Sequence, residues 1–324
     1  MTDGERLDHY LVRLGLAPSR RIASVLIESG RVRVNGRRQR KGAVVNANDC
    51  IEVIAAPASS PARAIAKSEV TLEILHEDDC LLIVNKPALL PCHPLSIADE
   101  TSVITLLARD YPEVYPGDFA EDETRGTKPL EGGLIHRLDN GTSGALMVAR
   151  TPDALRFMRE ALRASRIYRR YEAMAAGHLN QPIKLAWPIA HHRKNPARMV
   201  IVDDSPTLTS QAEKIVRAPY RGTPREAFSY VEPIARVNDF TLVNVIPRTG
   251  LRHQIRVHLA AIGRPIVNDE LYGAPKFSPL EAGRFWLHLA ELRFDSPSGH
   301  QVHIFAPYPP DLDEALATLR SDRA

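Results

Sequence analysis

The chain is poor in the residues that build covalent or metal frameworks. Its 324 residues include three cysteines, Cys50, Cys80 and Cys92, widely separated and odd in number. With no CxxC spacing, that excludes a disulfide scaffold and a zinc ribbon. No apolar run approaches the roughly 18 residues that cross a bilayer as a helix, and the stretch MTDGERLDHY is polar, unlike a secretory leader. GxxxxGK[ST] is missing, and so is a GxGxxG opening a helix, which removes the usual phosphate-cradling and dinucleotide motifs. Gly141-Thr142-Ser143-Gly144-Ala145 is not a nucleophile elbow, which needs glycine where Ala145 stands. His191 and His192 are adjacent and lack an acidic companion, so no metal site is expected. These absences lead us to expect a reduced, cytoplasmic protein with no membrane association, no metal and no cofactor, and a monomer by default.

Net charge is small, +3, but it is unevenly spread. Residues 1–67 hold twelve Lys or Arg against six Asp or Glu, a net +6, which leaves −3 for the rest. Within 20–41 eight basic residues face Glu28 alone. A small basic module on a nearly neutral body suits a polyanionic partner. A solvated charged face is the plainer alternative.

That module has a legible pattern. Leu7, Tyr10, Leu11 and Leu14 make an amphipathic stripe at i, i+3, i+4 and i+7. Ser19 is placed to cap a second helix with Ile22, Val25 and Leu26 inward, and Gly30 to stop it. Arg31-Val32-Arg33-Val34 alternates as a strand does, Asn35-Gly36 predicts a hairpin turn, and residues 50–54 read as a further strand. Arg20, Arg21, Arg31, Arg33 and Arg37, with Asn35 at the turn, could then form one phosphate-contacting surface. Residues 56–68, small, polar and proline-broken, read as a linker between a module at 1–55 and a body at 69–324.

In the body, strand-like runs (VTLEIL, CLLIVNKP, GALMVAR, RRYEAMAAG, DFTLVNVIP, HQVHIFAP) are interrupted by helical patterns at 152–164, 251–262 and 310–320. Without regular βαβ alternation, this predicts an α+β domain with a mixed, largely antiparallel sheet. Residues 116–131 read as an acidic insertion.

Three segments can carry chemistry. In GGLIHRLDNGTSGALMVAR, His136, Arg137 and Asp139 crowd a tight connection between apolar runs. Its Asp, Asn, Gly, Thr and Ser suit an ordinary turn, or an active-site loop on which Asp139 reacts. Thr151-Pro152 can open a helix with Leu155, Met158 and Leu162 inward and Arg156, Arg159 and Arg163 beside them; Arg166, Arg169 and Arg170 extend the charge toward Tyr171. In RTGLRHQIRVHLAAIG, Thr249 is a candidate cap and Ile255, Leu259 and Ile262 a buried face that Arg256 borders. An arginine held there needs a carboxylate. Asp139 is one candidate; another acid in a structural salt bridge is the competitor.

Two resemblances attach to these residues. RLDHYLVRLGLAPSRRIASVLIESGRVRVNGRRQRKG with NDCIEV resembles the αL (S-four-like) RNA-binding domain, over about 5–54. VNKPALLPCHP, HRLDNGTSG, RRYEAMAAG, TGLRHQIRVHLAAIGRPIVND and WLHLAELRFDSPSG resemble, in order, the motifs of the RluA-type RNA pseudouridine synthases. That resemblance implies cofactor-free isomerisation of a uridine: its glycosidic bond breaks, the uracil turns and rejoins through carbon-5. It implies that Asp139 is the catalytic carboxylate, which can attack sugar, attack base or remove a ribose proton. Arg256 would be its partner, Tyr171 would stack on the base, and Arg137 would fill the gap left in the RNA, with His136 beside it at the RNA interface. Leu251-Arg252, Arg169, Ala88-Leu89 and Asp295-Ser296 depart from the family's usual residues, which bears on substrate. The expected substrate is structured RNA, with large-subunit ribosomal RNA favoured and transfer RNA the alternative. A non-catalytic ribosome-assembly factor is the other alternative.

Overall fold

The basic module folds around its own small core. The computed structural model describes residues 4–14, 16, 20–28, 32–40, 42–46, 49–53, 70–94, 101–115, 130–203, 218–274, 276–277 and 279–321. In the module these form β1 (Glu5–Arg6), α1 (Leu7–Arg13), α2 (Arg20–Glu28), β2 (Val32–Val34), β3 (Arg37–Arg38), β4 (Val44–Val45) and β5 (Ile51–Val53). Leu7, Leu11, Ala23, Ile27, Val32, Val34 and Val45 close one apolar cluster. Leu14, expected in the stripe, is exposed because α1 ends one residue earlier, at Arg13. Val32 and Val34 point in and Arg33 out, as alternation requires. Asn35 and Gly36 both take positive φ, 50° and 75°, the backbone a two-residue hairpin turn needs. Ser19, Gly30, Arg31, the 56–68 linker and 116–129 of the acidic insertion lie outside the described residues.

The body is built on one sheet in the order β10-β14-β15-β9-β16-β8-β7-β6, with β17 added to β16. Its strands are β6 (Glu73–Glu77), β7 (Leu81–Lys86), β8 (Ser143–Ala149), β9 (Tyr168–Ala176), β10 (Ile183–Leu185), β14 (Ser229–Val237), β15 (Phe240–Pro247), β16 (Leu287–Asp295) and β17 (Gln301–Phe305). Neighbours run antiparallel except β16 and β8. β8 is buried along its whole length, the outcome expected of a continuous apolar run. A second sheet joins β11 (Ile189–His192) to β12 (Met199–Ile201) and β13 (Tyr220–Arg225).

Among the described residues, four α-helices pack in the body: α3 (Val103–Leu107), α4 (Pro152–Arg163), α5 (Gln254–Ala261) and α6 (Pro310–Ser321). Thr151 caps α4 by accepting the Ala154 N–H, with Pro152 in the first turn. α5 starts later than its pattern suggests. Thr249 does not cap it; its hydroxyl donates to Gln254 Oε1 and accepts the Phe228 N–H, while His253 occupies the cap position in left-handed backbone. α5 is buried on every side. Ile255 and Leu259 enter the main core, whereas Val257, Ala260 and Ala261 join Ile189, Met199 and Ile201 beneath the second sheet. Each polar residue on α5 therefore needs a partner inside the protein, and that requirement shapes the site.

Candidate active site

A cleft of about 1380 Å³ runs past the loop before β8, the start of α5, α4 and the second sheet. Seven arginines and two carboxylates, Glu131 and Asp139, line it. Such an imbalance suits a polyanion that must bring one group to a single acid.

The Asp139 loop is held by its backbone. Thr142 N–H returns to the Asp139 carbonyl at 3.0 Å, closing the turn. The Asn140 carbonyl accepts from Leu89 N–H at 2.7 Å and from the Lys86 ammonium at 3.3 Å. Leu138 is clasped both ways by the Cys92 thiol, which donates to its carbonyl and accepts its N–H. Arg284, 1% exposed, donates to the Gly141 carbonyl and the Ser143 hydroxyl and is paired with Asp311. The two glycines of this loop are sterically required. A Cβ on Gly141 would lie 2.2 Å from the Gly283 carbonyl oxygen, and one on Gly144 (φ +112°) 2.3 Å from that of Leu289. Burial pushes the pKa of Lys86 down to about 8.

Asp139 presents a side chain 24% exposed at the cleft. Arg256 Nη1 donates to its Oδ2 at 3.0 Å, and the other two nitrogens of the same guanidinium grip Asp269, Nε at 2.7 Å and Nη2 at 2.9 Å. Both candidate partners of Arg256 are thus real: one faces the cleft and one, 1% exposed, lies beneath it. The guanidinium carbon sits 4.1 Å from the Phe285 ring centre and 5.2 Å from that of Tyr272. Burial works against the charge of Arg256, but the bonds to Asp269 and the two negative charges outweigh it and raise its pKa.

His253 Nε2 lies 3.9 Å from Asp139 Oδ2, and its Nδ1 is 2.9 Å from the Tyr272 hydroxyl. Burial, opposed by Asp139, lowers the pKa of His253 to about 4, so the ring is neutral. Tyr171, on β9 between Val245 and Leu289, is 7% exposed and lines the cleft with Asp139. Burial raises the pKa of its phenol, which stays protonated.

His136 and Arg137 both line the cleft but differ in exposure. The His136 ring is buried, accepts the Met147 N–H at 3.2 Å, and is pushed down to about 3 by burial and then by Arg169. It is a neutral group within the fold. Arg137 is half exposed at the cleft, 3.2 Å from Glu131, which also lies 3.5 Å from Arg159. The basic run along and beyond α4 divides. Arg159 and Arg163 line the cleft from α4; Arg169 also reaches its wall but is buried against the Pro247 and Thr249 carbonyls, and Arg170 is bound to Glu172, Glu291 and Asn244.

In the N-terminal module Arg33 and Arg37 are exposed, and Arg20 lies 3.6 Å from the buried Asp8. Asn35 is occupied locally, donating to Asp49 and accepting the Cys50 N–H. Arg21 lies on α2.

Sequence reasoning missed Asp269, His253, Lys86, Cys92 and Arg284. Their signal was a polar residue set among buried apolar ones, as in PIVND and IVNKP, which demands a buried partner without saying which.

The chain is similar to known proteins over nearly its whole length. A family model described as RNA pseudouridylate synthase matches residues 80–261, and the S4 domain model matches 5–51. The ribosomal large subunit pseudouridine synthase C of Pasteurella multocida (strain Pm70) is 31% identical over 334 residues, covering 99% of this chain and 92% of the relative. The ribosomal large subunit pseudouridine synthase D of Haemophilus ducreyi (strain 35000HP / ATCC 700724) is 30% identical over 333 residues, covering 98% and 92%. The structure of human RNA pseudouridylate synthase domain containing 4 superposes with a TM-score of 0.56 at 23% identity, over 81% of this chain and 97% of that one, a likeness of fold. The chain belongs to the RNA pseudouridylate synthase family, RNA-modifying isomerases, and carries an S4 domain at its N-terminal end.

Proposed function

We propose that this isomerase converts uridine to pseudouridine in large-subunit ribosomal RNA, with Asp139 as its catalytic carboxylate. The observation that carries the proposal is the 3.0 Å bond from Arg256 to Asp139 at the floor of an arginine-lined cleft. A carboxylate there opposes RNA binding, so its place is explained by chemistry rather than grip. Arg256 keeps it charged and aimed in any of the three routes open to it. Tyr171 offers an aromatic face beside Asp139 on which an extruded base can stack. Extrusion costs a few kcal/mol, and Arg137, held at the rim by Glu131, is placed to enter the gap and offset part of that. The S4 domain supplies Arg33 and Arg37 to the phosphate backbone. The names of the relatives support ribosomal RNA as substrate. We place the protein in the cytoplasm on its few, unpaired cysteines and take it as a monomer by default.

The test takes total RNA and partly assembled ribosomal particles from cells lacking the protein. These are treated with wild-type or Asp139→Asn enzyme, and pseudouridines are mapped by carbodiimide labelling and primer extension. A new stop in large-subunit RNA with wild type alone supports the proposal. A new stop only in transfer RNA would move the substrate. No stop with either protein, despite tight binding, would favour the assembly factor.

A further inference from the structure

His253 is the least comfortable residue of the site. It holds a left-handed backbone (φ 55°, ψ 17°) at the N-cap of α5 without contributing a side-chain cap. Histidine enters that region more readily than most residues, yet it remains an uncommon conformation that collects at functional sites. The ring is also fixed. The Tyr272 hydroxyl accepts the Met199 N–H at 2.9 Å, and we assign its own proton to the bond with His253 Nδ1, at 2.9 Å. Nδ1 is then the acceptor and Nε2 carries the hydrogen. Tyr272 also meets the imidazole edge-on, 5.8 Å between ring centres at 88°. Among the described residues Nε2 makes no hydrogen bond; Asp139 Oδ2, at 3.9 Å, lies beyond reach. A strained, oriented, neutral N–H donor thus lines the cleft beside the carboxylate with its hydrogen unused.

We propose that His253 is a further catalytic residue: its Nε2–H donates to a carbonyl oxygen of the extruded uracil and stabilises the charge that the base carries when it leaves the sugar. The proposal deepens the reading of Asp139 and rests on it. As the bond between C1′ and N1 breaks, its electron pair passes to the uracil and spreads over N1, O2 and O4. C5 then bonds to C1′, the hydrogen on C5 leaves as a proton, and N1 takes a proton from water, so the base ends neutral. His253 gives a hydrogen bond and no proton. A donor placed where charge develops lowers the barrier more than one matched to the ground state. A phosphate is the poorer fit, since it would bring its charge against Asp139, and the exposed Arg137, Arg163, Arg225 and Arg252 of the cleft suit that task.

The probe is a synthetic stem-loop carrying the uridine mapped by the experiment above, made with uridine, 2-thiouridine or 4-thiouridine at that position. Sulfur accepts hydrogen bonds more weakly than oxygen. His253→Ala is expected to slow single turnover on the order of 100-fold, with RNA affinity unchanged within about threefold. One thio substitution should slow wild type by about tenfold and leave His253→Ala no slower. His253→Asn, which tolerates left-handed backbone, carries the same comparison if the alanine variant does not fold. Unchanged turnover in His253→Ala would overturn the proposal. So would thio effects that multiply with the mutation at both positions. Asp139→Asn is run in parallel: full turnover there removes the Asp139 reading, whereas its inactivity beside a fully active His253→Ala removes only the role of His253.

Discussion

Asp269 binds Arg256 through Nε and Nη2, at 2.7 and 2.9 Å, and so leaves Nη1 directed at Asp139. The buried acid sets the angle of the guanidinium, and the guanidinium sets the place of the cleft-facing acid. The cation also lies over the Phe285 and Tyr272 rings. A planar, three-nitrogen fork is the side chain that can serve both carboxylates at once.

Asp269→Asn removes that angle with little change in volume. Leaving the buried guanidinium short of its partner should destabilise the fold by roughly 3–5 kcal/mol, read as a lower denaturant midpoint. Arg256→Lys keeps the charge but lacks the fork, and turnover should fall at least about tenfold while RNA affinity holds. A Lys variant with wild-type kcat would show that charge alone suffices.

Tyr171 is assigned a stacking role, so its ring matters and its hydroxyl does not. Tyr171→Phe should stay within about threefold of wild type, whereas Tyr171→Ala should lose about 1–3 kcal/mol of base stacking. Single-turnover rates on one RNA separate the two. Equal losses in both variants would give the hydroxyl a chemical part.

The exposed arginines of the S4 domain should act through phosphates. Replacing Arg33, Arg37 and Arg38 with alanine should flatten the slope of log K against log salt by about 2–3 units. An unchanged slope would assign the electrostatic work to the cleft.

Four histidines with lowered pKa predict acid sensitivity. Burial lowers His136 to about 3 and His253, His258 and His288 to about 4. Between those values and the ordinary imidazole pKa of about 6.5 the unfolded chain binds more protons, so stability falls as pH drops through that window. Glu291, held to about 2 by Arg170, Arg293 and His303 against the cost of burial, adds a loss in the same direction below its ordinary range. Melting temperature should decline steadily from about pH 7 to pH 5, and His258→Gln should make the decline shallower. A flat profile would contradict neutral histidines in the folded state.

The strands and helices were legible where one period dominated. β8 showed as an unbroken apolar run, α4 as a capped stripe, and the hairpin as Asn35-Gly36. The segment from β10 to β14 is not legible because β10, β11 and β12 are three or four residues long, β13 is polar and exposed, and β14 is interrupted by Pro233 and a register shift. α5 was misplaced at its start because Thr249 imitates a cap while serving Gln254 instead. Of the site, Asp139 and Arg256 could be named from their motifs. Asp269 cannot be chosen over other acids, since its direct bonds to Arg256, 13 residues away, are made only by folding. The fixed ring of His253 depends on the Met199 amide, remote in sequence, and leaves no local signal.

The central claim is that Asp139 carries the chemistry. The most direct measurement is release of tritium to water from large-subunit ribosomal RNA labelled at carbon-5 of uridine, because joining carbon-5 to the sugar expels its hydrogen. Wild type should release label in proportion to pseudouridine formed, and Asp139→Asn, binding the same RNA within tenfold of wild type by our account, should release none above background. Release by Asp139→Asn at the wild-type rate would contradict the account.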